Sequence, residues 1–323
     1  MIVKLLKTLL LLPLLFGLAL PAAHAWPTKP IRIIVPAQPG SSIDFLARVI
    51  ADKLGPVLGT TVVVEDKAGA SGMLGTAMVA NATDGHTFLA GYNGPMSISP
   101  LLSPKPGYDV EKDFAPIIYA VTQPNVLAVR TSLGVSTVAE LVALAKKNPD
   151  KLNYASAGVG TISSLSMEYF KAKTGTKIVH VPYNGGPAAV LALGKEEVDV
   201  LFTALSNLQP LEKAGKVKLI AIANGKKSLA APHLPTLHES GFRGFDATTW
   251  NGFFAPANTP ESVIQQLHKE IAKILAQPEV QERLLKVGAE TVPIISPAEF
   301  GAMVKKETAE WKKVIHDAGL SFD

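Results

Sequence analysis

Residues 31–58 read IRIIVPAQPGSSIDFLARVIADKLGPVL, and this stretch decides the fold class. Its first five residues form a short apolar run that predicts a buried strand. Apolar side chains then recur at helical spacing from Phe45 to Leu58, which predicts an amphipathic helix. A loop containing Gly40 joins the two segments. Strand, glycine-containing loop and helix in this order are the building unit of α/β folds.

The same alternation continues along the chain. Apolar runs predict further strands at 62–64, 87–90, 126–129, 152–155, 178–181, 198–202, 217–222 and 249–256. Amphipathic segments predict helices around 73–80, 141–145, 165–170 and 188–193, and two long helices after Thr259-Pro260 and Ser296-Pro297. This pattern is typical of parallel sheets flanked by helices.

A second unit begins near Pro124, and the strand at 249–256 returns to the first unit. We therefore expect an α/β protein with two lobes, residues 26–123 plus 248–323 and residues 124–247. A chain that crosses twice between lobes predicts a hinge with a central cleft. Such a cleft is the default place for a ligand.

The first 25 residues have the features of an export signal. Lys4 and Lys7 precede an apolar run from Leu5 to Leu20, and the segment ends in Ala23-His24-Ala25. This order predicts a signal peptide cleaved after Ala25. A retained membrane anchor is the alternative, but the run is too short to make a good membrane span. We expect a soluble periplasmic protein.

Composition narrows the possible functions. The 323 residues include no cysteine, which excludes disulfides, thiol nucleophiles and a lipid-modified N-terminal cysteine. The formal charge of +4 falls to +2 once Lys4 and Lys7 leave with the signal peptide. A balance so near neutral argues against a nucleic-acid partner. Removal of 25 residues from 323 leaves 298, which suits two compact domains.

Two strand-to-helix loops share one design, Gln38 to Asp44 and Ser156 to Thr161. Glycine lets each loop turn tightly and approach a ligand, whereas Ser, Thr and Asp can cap the following helix. The free N–H groups and positive dipole at such a helix start favour a carboxylate or phosphate. A ligand with an anionic group at each end could bridge the two loops. Ordinary capped helices that bind nothing have the same spacing, so this alternative stays open.

The loops at 36–44, 91–99, 155–164 and 183–188 contain no Lys or Arg. An anion there would be held by backbone N–H groups, hydroxyls, amides and water. A neutral ligand is also possible. The candidate ligand-binding residues are Gln38, Gly40, Ser41, Ser42, Asp44 and Asn93 in the first lobe, and Ser156, Gly158, Gly160, Thr161, Asn184, Gly185, Asp199 and Thr203 in the second.

Three sharper motifs are incomplete. The glycines of Gly69-Ala-Ser-Gly72-Met-Leu-Gly75 do not have dinucleotide-binding spacing, so we expect no cofactor. Tyr154-Ala-Ser156-Ala-Gly158 resembles a nucleophile elbow but has Tyr where the first Gly belongs, with no compelling histidine and acid partners at later positions. The scattered histidines predict no metal site, and His180, in an apolar strand, is interpreted as a hydrogen-bonded core residue.

Several segments together resemble a known family. Trp26-Pro-Thr-Lys-Pro-Ile-Arg-Ile-Ile-Val-Pro36 is followed in order by Pro39-Gly40, Asp84-Gly85-His86-Thr87, Tyr154-Ala-Ser156, His180-Val-Pro-Tyr183, Leu234-Pro-Thr236 and Ala255-Pro256. This ordered set is similar to the Bug-type periplasmic solute-binding proteins of tripartite tricarboxylate transporters. The matches cover essentially the whole mature chain.

The resemblance implies a type II periplasmic-binding-protein fold that closes around a small carboxylate and delivers it to integral membrane transporter subunits. It implies no enzyme activity and no cofactor, and a monomer is assumed. In that family the loops matching Gln38 to Asp44 and Ser156 to Thr161 hold the carboxylate, partly through water. Asp44 is unexpected beside an anion; it could orient water, cap its helix or pair with the ammonium of an amino acid.

Three departures from the family pattern lie in the first loop, in the helix after the second loop and in a third loop. Gly40-Ser41 replaces Gly-Gly, Ser164 stands where His is frequent, and Asn184 follows Tyr183 where Lys is common. The ligand therefore need not be one of the commoner ones. Two alternative functions stay open: a secreted serine hydrolase built on Ser156, and a periplasmic sensor subunit that presents its closed form to a signalling receptor.

Overall fold

A computed structural model describes residues 26–317, so the predicted signal peptide and its cleavage after Ala25 lie outside the described residues. The strands are β1 (Ile31–Val35), β2 (Val62–Asp66), β3 (Thr87–Tyr92), β4 (Phe114–Gln123), β5 (Asn125–Arg130), β6 (Asn153–Ser156), β7 (Val179–Pro182), β8 (Val200–Ala204), β9 (Val217–Ile222), β10 (Thr249–Pro256) and β11 (Glu290–Thr291). The helices are α1 (Ser42–Leu58), α2 (Met73–Ala80), α3 (Ser99–Leu102), α4 (Val110–Asp113), α5 (Val138–Lys147), α6 (Ile162–Thr174), α7 (Gly186–Gly194), α8 (Leu205–Lys213), α9 (Glu261–Leu275), α10 (Pro278–Leu285) and α11 (Pro297–Asp317).

The strands form two sheets, one in each lobe. The first has the order β11-β4-β10-β3-β1-β2 and the second the order β7-β6-β8-β5-β9. Helices cover both sheets, so the predicted two-lobed α/β architecture is confirmed. We keep 26–123 with 248–323, and 124–247, as the proposed limits of the lobes.

Both sheets are mixed, whereas the alternation of strands and helices predicted parallel ones. β1 pairs in parallel with β2 and β3, but β10 runs antiparallel to β3 and β4. In the second sheet β5 runs antiparallel to β8 and β9. β4 continues directly into β5 through Pro124, so β5 enters the second sheet at the edge where β8 ends, with Asn125 paired to Ala204, and therefore runs antiparallel to β8.

The first lobe has a core on each face of its sheet. Ile33 of β1 packs in a cluster with α1 and α9, whereas its neighbour Ile34 packs on the opposite face with α2 and α11. This follows from the two-residue period of a strand. Burial of each such aliphatic side chain stabilises the fold by about 1.5–3 kcal/mol.

Among residues 26–317, no helix has both the length and the apolar character needed to cross a bilayer.

The C-terminal helix α11 contacts the cores of both lobes. Phe300 and Val304 pack with aromatic residues of the first lobe, whereas Trp311, further along the helix, packs in the main cluster of the second. Glu307 lies between these two contacts. Its Oε2 atom accepts hydrogen bonds from Ser97 Oγ at 2.6 Å and from Trp250 Nε1 at 2.7 Å. α11 therefore packs against both lobes and connects their cores.

Burial raises the pKa of Glu307. The folded protein therefore resists ionisation of this carboxyl, and stability falls as pH rises above the ordinary carboxyl range. We expect Glu307→Gln to raise the melting temperature relative to wild type, and the difference to grow between roughly pH 4 and pH 8. Glu310→Gln, on an exposed part of the same helix, is the control and should show no such trend. A constant difference across pH would contradict the prediction.

Candidate functional site

A cavity lies between the two lobes, where the loops after several strands meet. The first lobe contributes residues 36–38, 41–43, 68–69, 71–72, 92, 249 and 251, and the second contributes residues 157, 161–163, 184–186, 203–204 and 207. Its polar lining side chains are Gln38, Ser41, Ser42, Ser71, Tyr92, Thr161, Ser163, Asn184, Thr203, Asn207, Thr249 and Asn251. None of the lining residues is Lys, Arg, His, Asp or Glu.

Five helices begin at this cavity. The lining includes the first residues of α1, α6 and α7, and also Gly72 and Ala204, which immediately precede α2 and α8. Ser41 and Thr161 cap α1 and α6 by accepting the N–H groups of Asp44 and Ser164, each at 3.4 Å. The first N–H groups of a helix have no partner within it, and its N-terminus carries a partial positive charge. Five such ends around an uncharged lining make a binding site for an anion.

The first loop is held in shape by Asp44 from behind. Asp44 Oδ2 accepts the N–H of Gly40 at 2.9 Å, and Oδ1 lies 2.7 Å from Arg48 Nε. Arg48 in turn bonds Asp66 at 2.8 Å. Neither Gly40 nor Asp44 lines the cavity. The geometry shows Asp44 as a carboxylate that closes the turn before α1, a role that differs from the three considered from the sequence.

The second loop is held by Ser156, which is fully buried. Its Oγ lies 2.7 Å from His180 Nε2 and accepts the N–H of Gly158 at 3.2 Å. The His180 ring also stacks on Tyr154, with centroids 4.5 Å apart. No histidine partner for Ser156 was expected from the sequence, but His180 lies within hydrogen-bond distance of it. Parallel pairing of β6 with β7 brings them together, a register that the sequence pattern does not specify.

Loops from the two lobes touch beside the cavity. Ser71 Oγ donates to Val159 O at 2.5 Å, and Ser99 Oγ lies 3.0 Å from Gly160 O and 3.2 Å from Ser71 O. A Cβ atom built on Gly185 would approach Gln38 Cγ to 2.9 Å. The lobes are therefore closed on one another in this structure.

Half of the candidate ligand-binding residues line the cavity: Gln38, Ser41, Ser42, Thr161, Asn184, Gly185 and Thr203. Gly158 and Gly160 shape the second loop, both at positive φ, without lining the cavity. Asn93 is buried and donates to Thr248 O at 3.1 Å. Asp199 is placed elsewhere, because it precedes β8 whereas the cavity lies at the carboxyl end of that strand. Its carboxylate pairs with Arg130 at 2.7 Å.

Six polar lining residues were not predicted: Ser71, Tyr92, Ser163, Asn207, Thr249 and Asn251. Ser71 lies in the glycine-rich segment 69–75, which was set aside as an incomplete cofactor motif. That segment instead forms the turn before α2 at the cavity, with Ser71 at φ 55°. The glycines were therefore a usable signal for a ligand-facing loop.

A larger cavity, of about 470 Å³, lies between α11 and residues 96–116. Its lining is mostly apolar, and Lys305 at this cavity pairs with Glu111 at 2.6 Å. No helix of eight or more residues begins among its lining residues, so it lacks the anion-binding geometry of the inter-lobe cavity. Among the described residues, there is no group of three or more His, Asp and Glu placed to hold a metal ion.

Burial is the main cause that lowers the pKa of His180. The folded protein disfavours the charged imidazole, so this stabilising contribution is present above the ordinary histidine pKa and is lost as pH falls below it. We expect His180→Gln to lose less stability than wild type between about pH 7.5 and pH 5. Thermal unfolding across this range measures the effect, with exposed His233→Gln as the control. Parallel curves for wild type and His180→Gln would contradict the assignment.

Comparison with known proteins gives consistent matches over most of the chain. The model of the tripartite tricarboxylate transporter family receptor matches residues 46–320. The structure of Rpa4515 from R. palustris with adipate has a TM-score of 0.88 at 33% identity, covering 92% of this chain and 99% of that one. Periplasmic binding protein BugD has a TM-score of 0.85 at 34% identity, covering 92% and 99%. MatC (Rpa3494) from Rhodopseudomonas palustris with bound malate has a TM-score of 0.83 at 31% identity, covering 90% and 99%.

Proposed function

Because this chain belongs to the tripartite tricarboxylate transporter receptor family, we propose that it captures a small carboxylate between its lobes and delivers it to an integral membrane transporter. The resemblance to Bug-type proteins is confirmed by the match to BugD, and the type II periplasmic-binding-protein fold by the structural matches. The chain is a solute-binding receptor and not an enzyme.

The observation that carries the proposal is the convergence of five helix N-termini, those of α1, α2, α6, α7 and α8, on a cavity with an uncharged lining. Each helix N-terminus carries about half a positive charge, so five together amount to about two and a half. A dicarboxylate balances most of this charge. With one carboxylate at the loops of each lobe, it would hold the lobes closed. Adipate in Rpa4515 and malate in MatC are both dicarboxylates, which supports this ligand class.

The proposed place of action is the periplasm, after removal of residues 1–25. The family's periplasmic relatives and the sequence of the export signal support this location. We further propose that the protein acts as a monomer without a nucleic-acid partner. Its residues Gln38, Ser41, Ser42, Thr161, Asn184, Gly185 and Thr203 would contact the ligand, whereas Asp44 and Ser156 would hold the loops that do so.

Neither alternative function is favoured by the site. A serine hydrolase needs an accessible nucleophile, but Ser156 has no exposed surface and its oxygen already accepts the N–H of Gly158. A sensor subunit would use the same closed form, with a signalling receptor as its partner. Membership of a transporter receptor family favours transport over sensing.

A thermal-shift screen tests the ligand class. The purified periplasmic protein is unfolded and refolded to strip carried-over ligand, then mixed with aliphatic, hydroxy-, aromatic and amino-substituted carboxylates. A ligand at about a hundred times its Kd should add roughly 2.7 kcal/mol of stability. The matching neutral amides are the control, and they should give no shift because they carry no charge for the helix ends. Equal shifts with amides, or none with any carboxylate, would contradict the proposal.

Gly185 provides a test of lobe closure. It has φ 98°, and a Cβ atom there would collide with Gln38 across the cleft, so Gly185→Ala should weaken binding of the best carboxylate at least about tenfold. Gly215→Ala is the control, because Gly215 also has a positive φ of 68° but no atom within 4 Å of its Cβ position. Both variants should lose some stability, and only the first should lose affinity. Equal affinity in the two would exclude Gly185 from the closed contact.

A further inference from the structure

Two side chains of β10 enter the inter-lobe cavity without a hydrogen-bond partner. Asn251 is 1% exposed, and neither its amide oxygen nor its amide nitrogen is bonded within the protein. Thr249 is 7% exposed, and its hydroxyl is likewise unbonded. A buried polar group without a partner costs about 1–3 kcal/mol, so three such atoms together indicate a position shaped for a ligand.

Their positions are fixed by the sheet. Thr249 and Asn251 are alternate residues of one strand and therefore project from the same face. β10 lies between β3 and β4, with Asn251 opposite Tyr92 on one side and Val121 on the other. A residue on a central strand is held more rigidly than one on a loop, which suits a specificity-determining role.

Several polar groups near them bond within the protein. Ser163 Oγ donates to Phe202 O at 2.6 Å, and Asn207 Nδ2 donates to Thr203 Oγ1 at 3.0 Å. The Tyr92 hydroxyl donates to Pro36 O at 3.4 Å. Among the lining residues, the buried polar side-chain atoms without a partner are those of Asn251 and Thr249.

The chemistry of the amide restricts what it can bind. Asn251 offers a donor and an acceptor side by side, so a fully paired ligand group must both accept and donate. A carboxylate only accepts, which leaves the amide oxygen unpaired. An ammonium only donates, and no acidic side chain lines the cavity to balance its charge. A hydroxyl both accepts and donates.

We propose that Asn251, together with Thr249, recognises a hydroxyl group on the ligand, so that the protein selects a hydroxycarboxylate over its deoxy counterpart and over the corresponding amino acid. This inference rests on the proposed carboxylate-binding function. The helix N-termini would hold the carboxylates, and the two β10 side chains would distinguish among ligands of equal charge. A carboxamide also both accepts and donates, and the test therefore includes one.

Calorimetric titration of matched ligands tests the inference. The pairs are malate with succinate and 2-hydroxyglutarate with glutarate, and aspartate and succinamate complete the set. Wild type should bind the hydroxylated member of its preferred pair at least about tenfold more tightly than any of the others. Asn251→Leu, which keeps the side-chain volume, should reduce this preference to within about twofold, and Thr249→Val should reduce it in part.

Thr259→Val is the matched control. Thr259 is 8% exposed and its hydroxyl is also unbonded, but it lies after the end of β10 and does not line the cavity. The Thr259→Val variant should prefer the hydroxylated ligand to the same degree as wild type. Without ligand, Asn251→Leu should melt no lower than wild type, because it removes polar atoms that lack a partner. A clearly lower melting temperature would mean that the amide is bonded within the protein and would overturn the inference.

The two levels of the proposal fail differently. If wild type binds no carboxylate at all, the proposed function is wrong and the inference falls with it. If wild type binds both members of a pair equally, or binds aspartate or succinamate more tightly, carboxylate binding stands and the role of Asn251 is overturned. A hydroxyl preference that survives in Asn251→Leu has the same consequence.

Discussion

The inter-lobe cavity brings five like-charged helix ends close together. The N-termini of α1, α2, α6, α7 and α8 meet there with no acidic side chain in the lining to offset them. Their partial positive charges repel one another, and this repulsion grows as the lobes approach. An anion between them converts the repulsion into attraction. Ligand capture and lobe closure are therefore the same electrostatic event, which explains how a lining without Lys or Arg can serve an anion.

Much of the fold could be predicted because its elements are locally determined. Residues 31–35, 73–80, 217–222 and 249–256 form the elements expected from their apolar patterns. β4 was not predicted from its own sequence. It forms by antiparallel pairing with β10, which lies far away in the sequence. α8 contains Pro210, which obscures its helical pattern. The sheets are mixed because pairing direction depends on how the chain passes between lobes, and local spacing does not encode that path.

In the candidate site too, the residues that could be predicted are those determined by local sequence. Ser41 and Thr161 cap helices next to the glycines that bend their loops, so a short stretch of sequence contains the whole signal. Asp44 and Ser156 belong to the same loops but do not line the cavity, because each bonds a backbone N–H of its own loop. Sequence spacing identifies such a loop, but it does not show which of its side chains point into the cavity. Asn251 reaches the cavity only through the pairing of β10 with β3, and nothing near it in the sequence marks that position, whereas glycines flank Ser71.

The helix α11 has a consequence for the mechanics of the molecule. If the lobes were joined only by the two chain crossings near residues 124 and 248, they could rotate relative to one another about this hinge in more than one direction. α11 adds a third tie, since Phe300 is bound to one core and Trp311 to the other. A rotation that separates the lobes must then bend α11 or withdraw Trp311 from the core of the second lobe, so the packing of this helix opposes opening of the cleft.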